Sequence, residues 1–371
     1  MKNRLAIITI LIASAAMLLS GCDQTQEMGG KKVSFTARSK MFPSTKTAYS
    51  AYVTENNTVY QRIDWQDGDV LRIYSPKNQG NLWSPTMDLV PVMETDNSYL
   101  ELMYSDYKLR EKDDNNNAAI SVDPADSRFS VAKLFNNGDN GLTWTGNTAT
   151  FYGAYPVSED RIVPHALEYE SGGQTVQNLL MEVKIPNTQA GDSAFVKTMP
   201  LLAKTANVTN GSAVKLDFDP YFSAYEFNLW SKDQDVTITS LTVSAQTGFI
   251  SGHHYWDLTA GQSRSDLGSG NTDADRTITI TGSWTATTAK AANIHVFGLP
   301  NDLGKITLTI KFTVGGSPAT ATLYLGDGTK FDARKKTRIK GLQIGGVWKI
   351  FIAAVGVEKW QEVGTTTLII K

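Results

Sequence analysis

Short runs of period two dominate the pattern of apolar and polar positions along this chain. Val33-Ser-Phe-Thr-Ala37, Val70-Leu-Arg-Ile-Tyr74, Val214-Lys-Leu-Asp-Phe218, Thr277-Ile-Thr-Ile-Thr281 and Lys305-Ile-Thr-Leu-Thr-Ile-Lys-Phe312 all alternate in this way. Successive side chains of an extended chain point to opposite faces, so the alternation predicts strands with one buried face. Gly315-Gly316 and Gly326-Asp-Gly328 interrupt it where tight turns would close hairpins. No long stretch carries a helical period. The expected class is all-β, with many short strands folded into antiparallel β-sandwiches.

Polar interruptions set the expected organisation. Residues 23–32 lack any apolar pattern and read as a flexible tether. Residues 111–127, centred on Asp113-Asp114-Asn115-Asn116-Asn117, and residues 262–276 read as exposed loops. The polar, turn-rich stretch Lys204–Ser212 marks the expected boundary between an N-terminal sandwich, 33–207, and a C-terminal one, 208–371. No convincing internal repeat is present.

The first residues have another character. Lys2 and Arg4 precede an apolar run from Leu5 to Leu19 that is too short to span a bilayer comfortably. Leu19-Ser20-Gly21-Cys22 resembles the lipobox of bacterial lipoproteins, and Cys22 is the only cysteine of the 371 residues. The resemblance implies a lipoprotein signal peptide over 1–21 and a diacylglycerol thioether on Cys22, with 22–32 as the tether. More than one acyl chain holds a protein durably on a membrane, so an outer-membrane lipoprotein is expected. The competing reading is an ordinary signal peptide followed by an incidental cysteine.

Charge and motifs narrow the function. Loss of Lys2 and Arg4 with the signal leaves 33 basic against 37 acidic residues, a net charge of −4. That is no footprint for nucleic acid. His253-His254 lies in a strand-like run, where adjacent side chains cannot share a metal, and neither His165 nor His295 has ligand spacing to them. Asp64-Trp65-Gln66-Asp67-Gly68-Asp69 resembles part of a calcium loop but lacks the later bidentate glutamate. A turn into the strand at Val70 is the better account. The chain has no nucleophile elbow and no phosphate-cradling loop, so no enzyme activity, metal or cofactor is expected. Trp83 and Trp144, in loop-like surroundings, are candidate glycan-stacking residues; the alternative is that both are core.

In order, several segments resemble the fimbrillins, the Mfa-like subunits of type V pili in Bacteroidales. They are Ile63-Asp-Trp65-Gln-Asp-Gly68-Asp69-Val-Leu-Arg-Ile-Tyr74, Phe151-Tyr-Gly-Ala-Tyr155-Pro156 and Ile185-Pro186-Asn-Thr-Gln189. Phe249-Ile-Ser-Gly252 and Asp257-Leu258-Thr-Ala-Gly261 follow. The resemblance implies two transthyretin-like sandwiches in tandem and a lipid-anchored precursor. It also implies trimming by an arginine-specific protease and assembly with other fimbrial subunits by β-strand addition. The mature subunit would be a shaft, tip or anchor that mediates adhesion to a host or bacterial surface ligand.

Arg38, placed just after the first strand, is the candidate processing point; otherwise it is a solvated loop residue. Thr366, Leu368 and Ile370 lie on one face of a β-prone C-terminus, either as a donor strand or as a permanent strand of their own domain. The alternative function is a surface glycan-binding lipoprotein with no pilus role.

One expectation follows from the N-terminus alone. Cys22→Ala should leave the protein unlipidated and soluble. A variant that still partitions with membranes and into detergent as the parent does contradicts the lipoprotein reading.

Overall fold

The computed structural model describes residues 30–40, 53–55, 58–60, 64–76, 82–84, 86–91, 99–127, 129–138, 141–157, 162–171, 174–191, 199–231, 234–264, 267, 270–325, 330–331, 336–344, 352–358 and 361–368. The chain divides into two units, Met1–Lys31 and Lys32–Lys371. Every strand among the described residues belongs to the second. Cys22 and the expected signal peptide lie outside the described residues.

The protein is all-β, with one 3₁₀ turn at Asp273–Arg276 and no α-helix among the described residues. The first strands are β1 (Phe35–Lys40), β2 (Val53–Glu55), β3 (Thr58–Tyr60), β4 (Val70–Pro76), β5 (Leu82–Trp83) and β6 (Thr86–Pro91). Next come β7 (Tyr99–Leu109), β8 (Ile120–Val122), β9 (Phe129–Asn136), β10 (Thr143–Trp144) and β11 (Thr148–Tyr155). They are followed by β12 (Ile162–Ser171), β13 (Gln174–Ile185), β14 (Thr188–Ala190), β15 (Leu201–Thr209) and β16 (Val214–Pro220). The later half adds β17 (Ser223–Ser231), β18 (Val236–Ala245), β19 (Gly252–Asp257), β20 (Gln262–Ser263), β21 (Thr277–Ala286), β22 (Ala292–Gly298) and β23 (Asn301–Asp302). The last are β24 (Ile306–Val314), β25 (Ser317–Leu325), β26 (Lys330–Phe331), β27 (Lys336–Ile344), β28 (Ile352–Glu358) and β29 (Gln361–Leu368).

A nine-stranded sheet runs β6-β7-β4-β11-β15-β16-β1-β9-β8. The end of β7 also pairs with β9, Tyr107 opposite Asn136 and Leu109 opposite Leu134. Strands β7 through β9 therefore close into a seven-stranded, barrel-like sheet, with β6 and β8 as flaps. Closure removes the unpaired edges that an open sheet would present. Aromatic rings fill the interior. Phe35 meets Tyr107 edge-on at 5.0 Å and Phe151 at 5.1 Å, while Trp65 meets Phe218 at 5.5 Å.

The period-two readings hold in detail. Val214, Leu216 and Phe218 face inward while Lys215 is exposed, and Ile306, Leu308, Ile310 and Phe312 do the same in β24. Gly315 and Gly316, both at positive φ, make the two-residue turn joining β24 to β25. Asp67-Gly68 is a turn into β4, fastened by the Asp69 carboxylate, which accepts from the Gln66 N–H.

Two expectations need correction. Residues 120–122 of the supposed exposed loop form β8, paired to β9. Lys204–Ser212 is no linker either. It forms the outer half of β15, paired to β11, and the turn into β16. Its polarity reflects solvent exposure of a hydrogen-bonded strand end rather than a lack of structure.

Strands from both sides of residue 207 share sheets. β16 lies inside the barrel beside β1. β14 is the parallel edge of the sheet β14-β21-β18-β24-β25, and β13 pairs with β19 in the sheet β12-β13-β19-β20. A further sheet runs β22-β17-β27-β28-β29.

The barrel packing generates a stability prediction. Phe35→Ala removes a ring that is 2% exposed and should lower unfolding free energy by about 3–5 kcal/mol. A denaturant midpoint close to that of the parent contradicts this account of the barrel core.

Candidate functional site

Strand β1 carries a charge held among several acids, Arg38. It runs parallel to β16, Phe35 opposite Val214, and antiparallel to β9, Ala37 opposite Ala132. Val33, Phe35, Ala37 and Ser39 face inward, and the strand runs three residues past Ala37, to Lys40, and includes Arg38. The sequence reading stopped at Ala37 because a buried serine looks like a strand end. Arg38 is thus neither just after the strand nor in a solvated loop.

Its side chain is 27% exposed and ringed by acids. Nε lies 2.8 Å from Asp123, an ion pair rather than an aligned hydrogen bond, while Nη2 lies 3.8 Å from Asp126 and Nη1 3.7 Å from Asp217. The guanidinium also sits 3.8 Å from the Phe129 ring centroid. A planar, always-charged group suits this combination of ring and carboxylates.

The other candidates fall elsewhere. Trp144 is 2% exposed and packs edge-on against Phe151, so it is a core residue and cannot stack on a glycan. It lies in β10 with its backbone opposite Leu82, while Trp83 is opposite Thr143. Thr366 and Leu368 lie in β29, opposite Ala354 and Ile352 of β28. β29 is the edge of its sheet. Ile370 lies outside the described residues.

A polar cluster that the sequence reading missed lies on the sheet β12-β13-β19-β20. Glu182 in β13 takes His165 of β12 at 2.6 Å on one carboxylate oxygen and His253 of β19 on the other. An ionised carboxylate only accepts, so Nε2 of His165 and Nδ1 of His253 carry the protons. The His165 bond, against desolvation and with help from His253, lowers the Glu182 carboxyl below its ordinary range.

His254 bonds Ser263 at 2.6 Å, and burial pushes it down to about 4. The histidine pair does part to different partners, as strand geometry requires. Among the described residues, no three His, Cys, Asp or Glu side chains are arranged to hold a metal.

β19 is paired along β13 on one side, but β20 covers only Trp256 and Asp257 on the other. The Asn271 side chain substitutes for a strand at the bare position. Its oxygen accepts from the His253 N–H at 2.8 Å, and its amide donates to the His253 carbonyl at 3.0 Å. Gly252, at φ +89°, leaves no room for a Cβ beside this amide. A cleft of ≈ 470 Å³ opens along the strand edge, lined among others by Phe249, Tyr255, Asn271, Pro300 and Asn301.

The other motif residues act as braces. Gln189 exchanges two hydrogen bonds with the Phe297 backbone, at 2.8 and 3.3 Å. Asp257, 1% exposed, accepts from Asn178 at 2.6 Å and from the Ala260 N–H at 2.7 Å.

No family model matches the chain, and no curated protein matches it in sequence. Solved structures do. A candidate cell adhesion protein of Bacteroides ovatus is similar over 92% of this chain and 99% of its own, at 11% identity and a TM-score of 0.50. A fimbrial protein of Bacteroides vulgatus covers 62% of this chain and 82% of its own, at 11% identity and a TM-score of 0.39. A fimbrial assembly protein of Parabacteroides distasonis covers 91% and 99%, at 9% identity and a TM-score of 0.39. The first of these likenesses shows a shared fold along almost the whole chain.

The Glu182 cluster has a signed pH dependence. A carboxyl held below its ordinary value of 4.5 stabilises the fold fully above that value, and the contribution is lost as pH falls through the lower folded value. Glu182→Gln should therefore cost about 1–2 kcal/mol at neutral pH, with the gap to the parent closing in acid. Thermal unfolding of both proteins as a function of pH reads this. A gap that grows below pH 4.5 contradicts the assignment.

Proposed function

We propose that this chain is a structural and adhesive subunit of a type V fimbria, of the fimbrillin kind, built as two transthyretin-like sandwiches in tandem. It is exported as a precursor anchored to the outer membrane through lipid on Cys22, and it has no catalytic role. The observation that carries the reading is the position of β1. It is the N-terminal strand of the barrel, hydrogen-bonded to β16 on one edge and β9 on the other. The fold shared with a candidate cell adhesion protein is consistent with this.

Loss of β1 up to Arg38 would leave an apolar trough and two rows of unpaired backbone groups. Each buried polar group left unpaired costs roughly 1–3 kcal/mol. A strand donated by another subunit satisfies the whole row at once. β29, paired along one edge only, is the donor in this reading.

Trimming at Arg38 then acts inside a strand. A protease must draw Arg38 out of its carboxylate ring and away from both neighbours, so cleavage and barrel opening become one event. The alternative, a surface glycan-binding lipoprotein outside any pilus, would use the same β19 cleft and differs in leaving β1 in place.

Digestion with an arginine-specific protease followed by size-exclusion chromatography tests the assembly reading. Cleavage after Arg38 should convert monomer into detergent-resistant oligomers. Arg38→Ala should stay monomeric, and removal of Thr365–Lys371 should block oligomers while the monomer remains folded. A single monomer peak after confirmed cleavage rules out strand exchange and leaves the alternative standing.

A further inference from the structure

We propose that the cleft beside β19 binds a neutral mono- or disaccharide. This deepens the adhesive half of the function proposed above by naming a ligand class and a site, and it does not depend on strand exchange.

The volume, ≈ 470 Å³, falls in the range of roughly 300–1,000 Å³ occupied by small-molecule pockets. Its walls pair apolar rings with fixed polar groups. Phe249 and Tyr255 are aromatic residues of the lining, with Leu299 and Pro300 beside them, and the Tyr255 ring is held edge-on by His165 at 5.8 Å. Sugar rings present C–H faces that pack on such surfaces and hydroxyl edges that need donors and acceptors.

Two amides lining the cleft are held from behind by backbone. Asn271 spends its oxygen and one N–H on His253. Asn301 accepts from the Asp302 N–H at 3.0 Å and donates towards the Phe249 carbonyl at 3.4 Å. A primary amide has two N–H donors and two acceptor lone pairs, so each retains bonding capacity while its orientation is already fixed. Prior fixation lowers the ordering cost of binding.

Charge decides between neutral and ionic sugars. The lining contains no carboxylate among the described residues. His253 is committed to Glu182, Arg264 has a partner of its own, and burial keeps His254 neutral at physiological pH. Among the described lining residues no charged side chain is left without a partner, whereas hydroxyls can share every polar group present.

The test uses the monomeric mature protein with lactose, maltose, cellobiose and digalacturonic acid as probes, read by saturation-transfer NMR and titration calorimetry. At least one neutral disaccharide should bind. Tyr255→Ala should weaken it by about tenfold, while Tyr324→Ala, which removes a ring that is 67% exposed on β25, should leave it unchanged. Tyr255→Phe, which preserves the ring, should retain more affinity than Tyr255→Ala and serves as the decisive variant if the alanine form fails to fold. The proposal is overturned if no neutral probe binds, if only digalacturonic acid does, or if both Tyr255 variants bind as the parent. None of these outcomes bears on oligomer formation after cleavage, so the two readings fail separately.

Discussion

The backbone pairing of β1 is the constraint on which the rest of the barrel depends. A seven-stranded closure needs a partner on both edges of every strand, and β1 fills the gap between β16 and β9. These neighbours come from opposite sides of residue 207, so a six-residue strand joins by main-chain pairing parts of the chain that also meet through β15 and through the Trp65–Phe218 contact. Its inward side chains pass from the large Phe35 to the small Ala37 and Ser39. The aromatic end anchors the strand among Tyr107 and Phe151. The small end admits the close approach of the neighbouring strands.

Elsewhere, side chains substitute for strands at the places where sheets run out. Gln189 extends the hydrogen bonding of β22, Asn271 that of β19, and Asp257 closes the turn that follows it. Ser251, fully buried, donates to the Asp275 and Thr277 carbonyls at 3.1 and 3.3 Å. Buried backbone groups must be paired, and short polar side chains do this where no strand can reach. Such residues bind distant segments into one continuous cluster of buried side chains.

This explains what was legible beforehand. Alternation revealed the strands whose two faces differ, such as β16 and β24, because burial imposes period two directly. It revealed nothing about register. His165, Glu182 and His253 lie on separate strands, and only the β12-β13-β19 pairing brings them together. Trp144 looked like a surface residue because its strand is two residues long, too short for a period to show. Lys204–Ser212 misled for the opposite reason, since an exposed strand end has the composition of a linker. Gln189 and Asp257 stood in recognisable motifs, but the backbone groups they satisfy are invisible in sequence.

Assembly and recognition, as proposed, place opposite demands on one molecule. An exchangeable strand must be held by interactions that can be released together, whereas a ligand cleft must be rigid before its ligand arrives. The two are built from different materials. β1 is held by a ladder of repeated main-chain bonds, which any strand of suitable side-chain size could reproduce, and by the ion pairs of Arg38, which a replacement lacking that arginine would not restore. The cleft is held by individual side chains, above all Asn271, whose particular bonds a passing strand cannot mimic. The same amide occupies the main-chain groups of His253 that would otherwise invite β-strand addition at the bare edge of β19. With those groups occupied, the His253 position of β19 offers no unpaired main-chain donor or acceptor to an added strand.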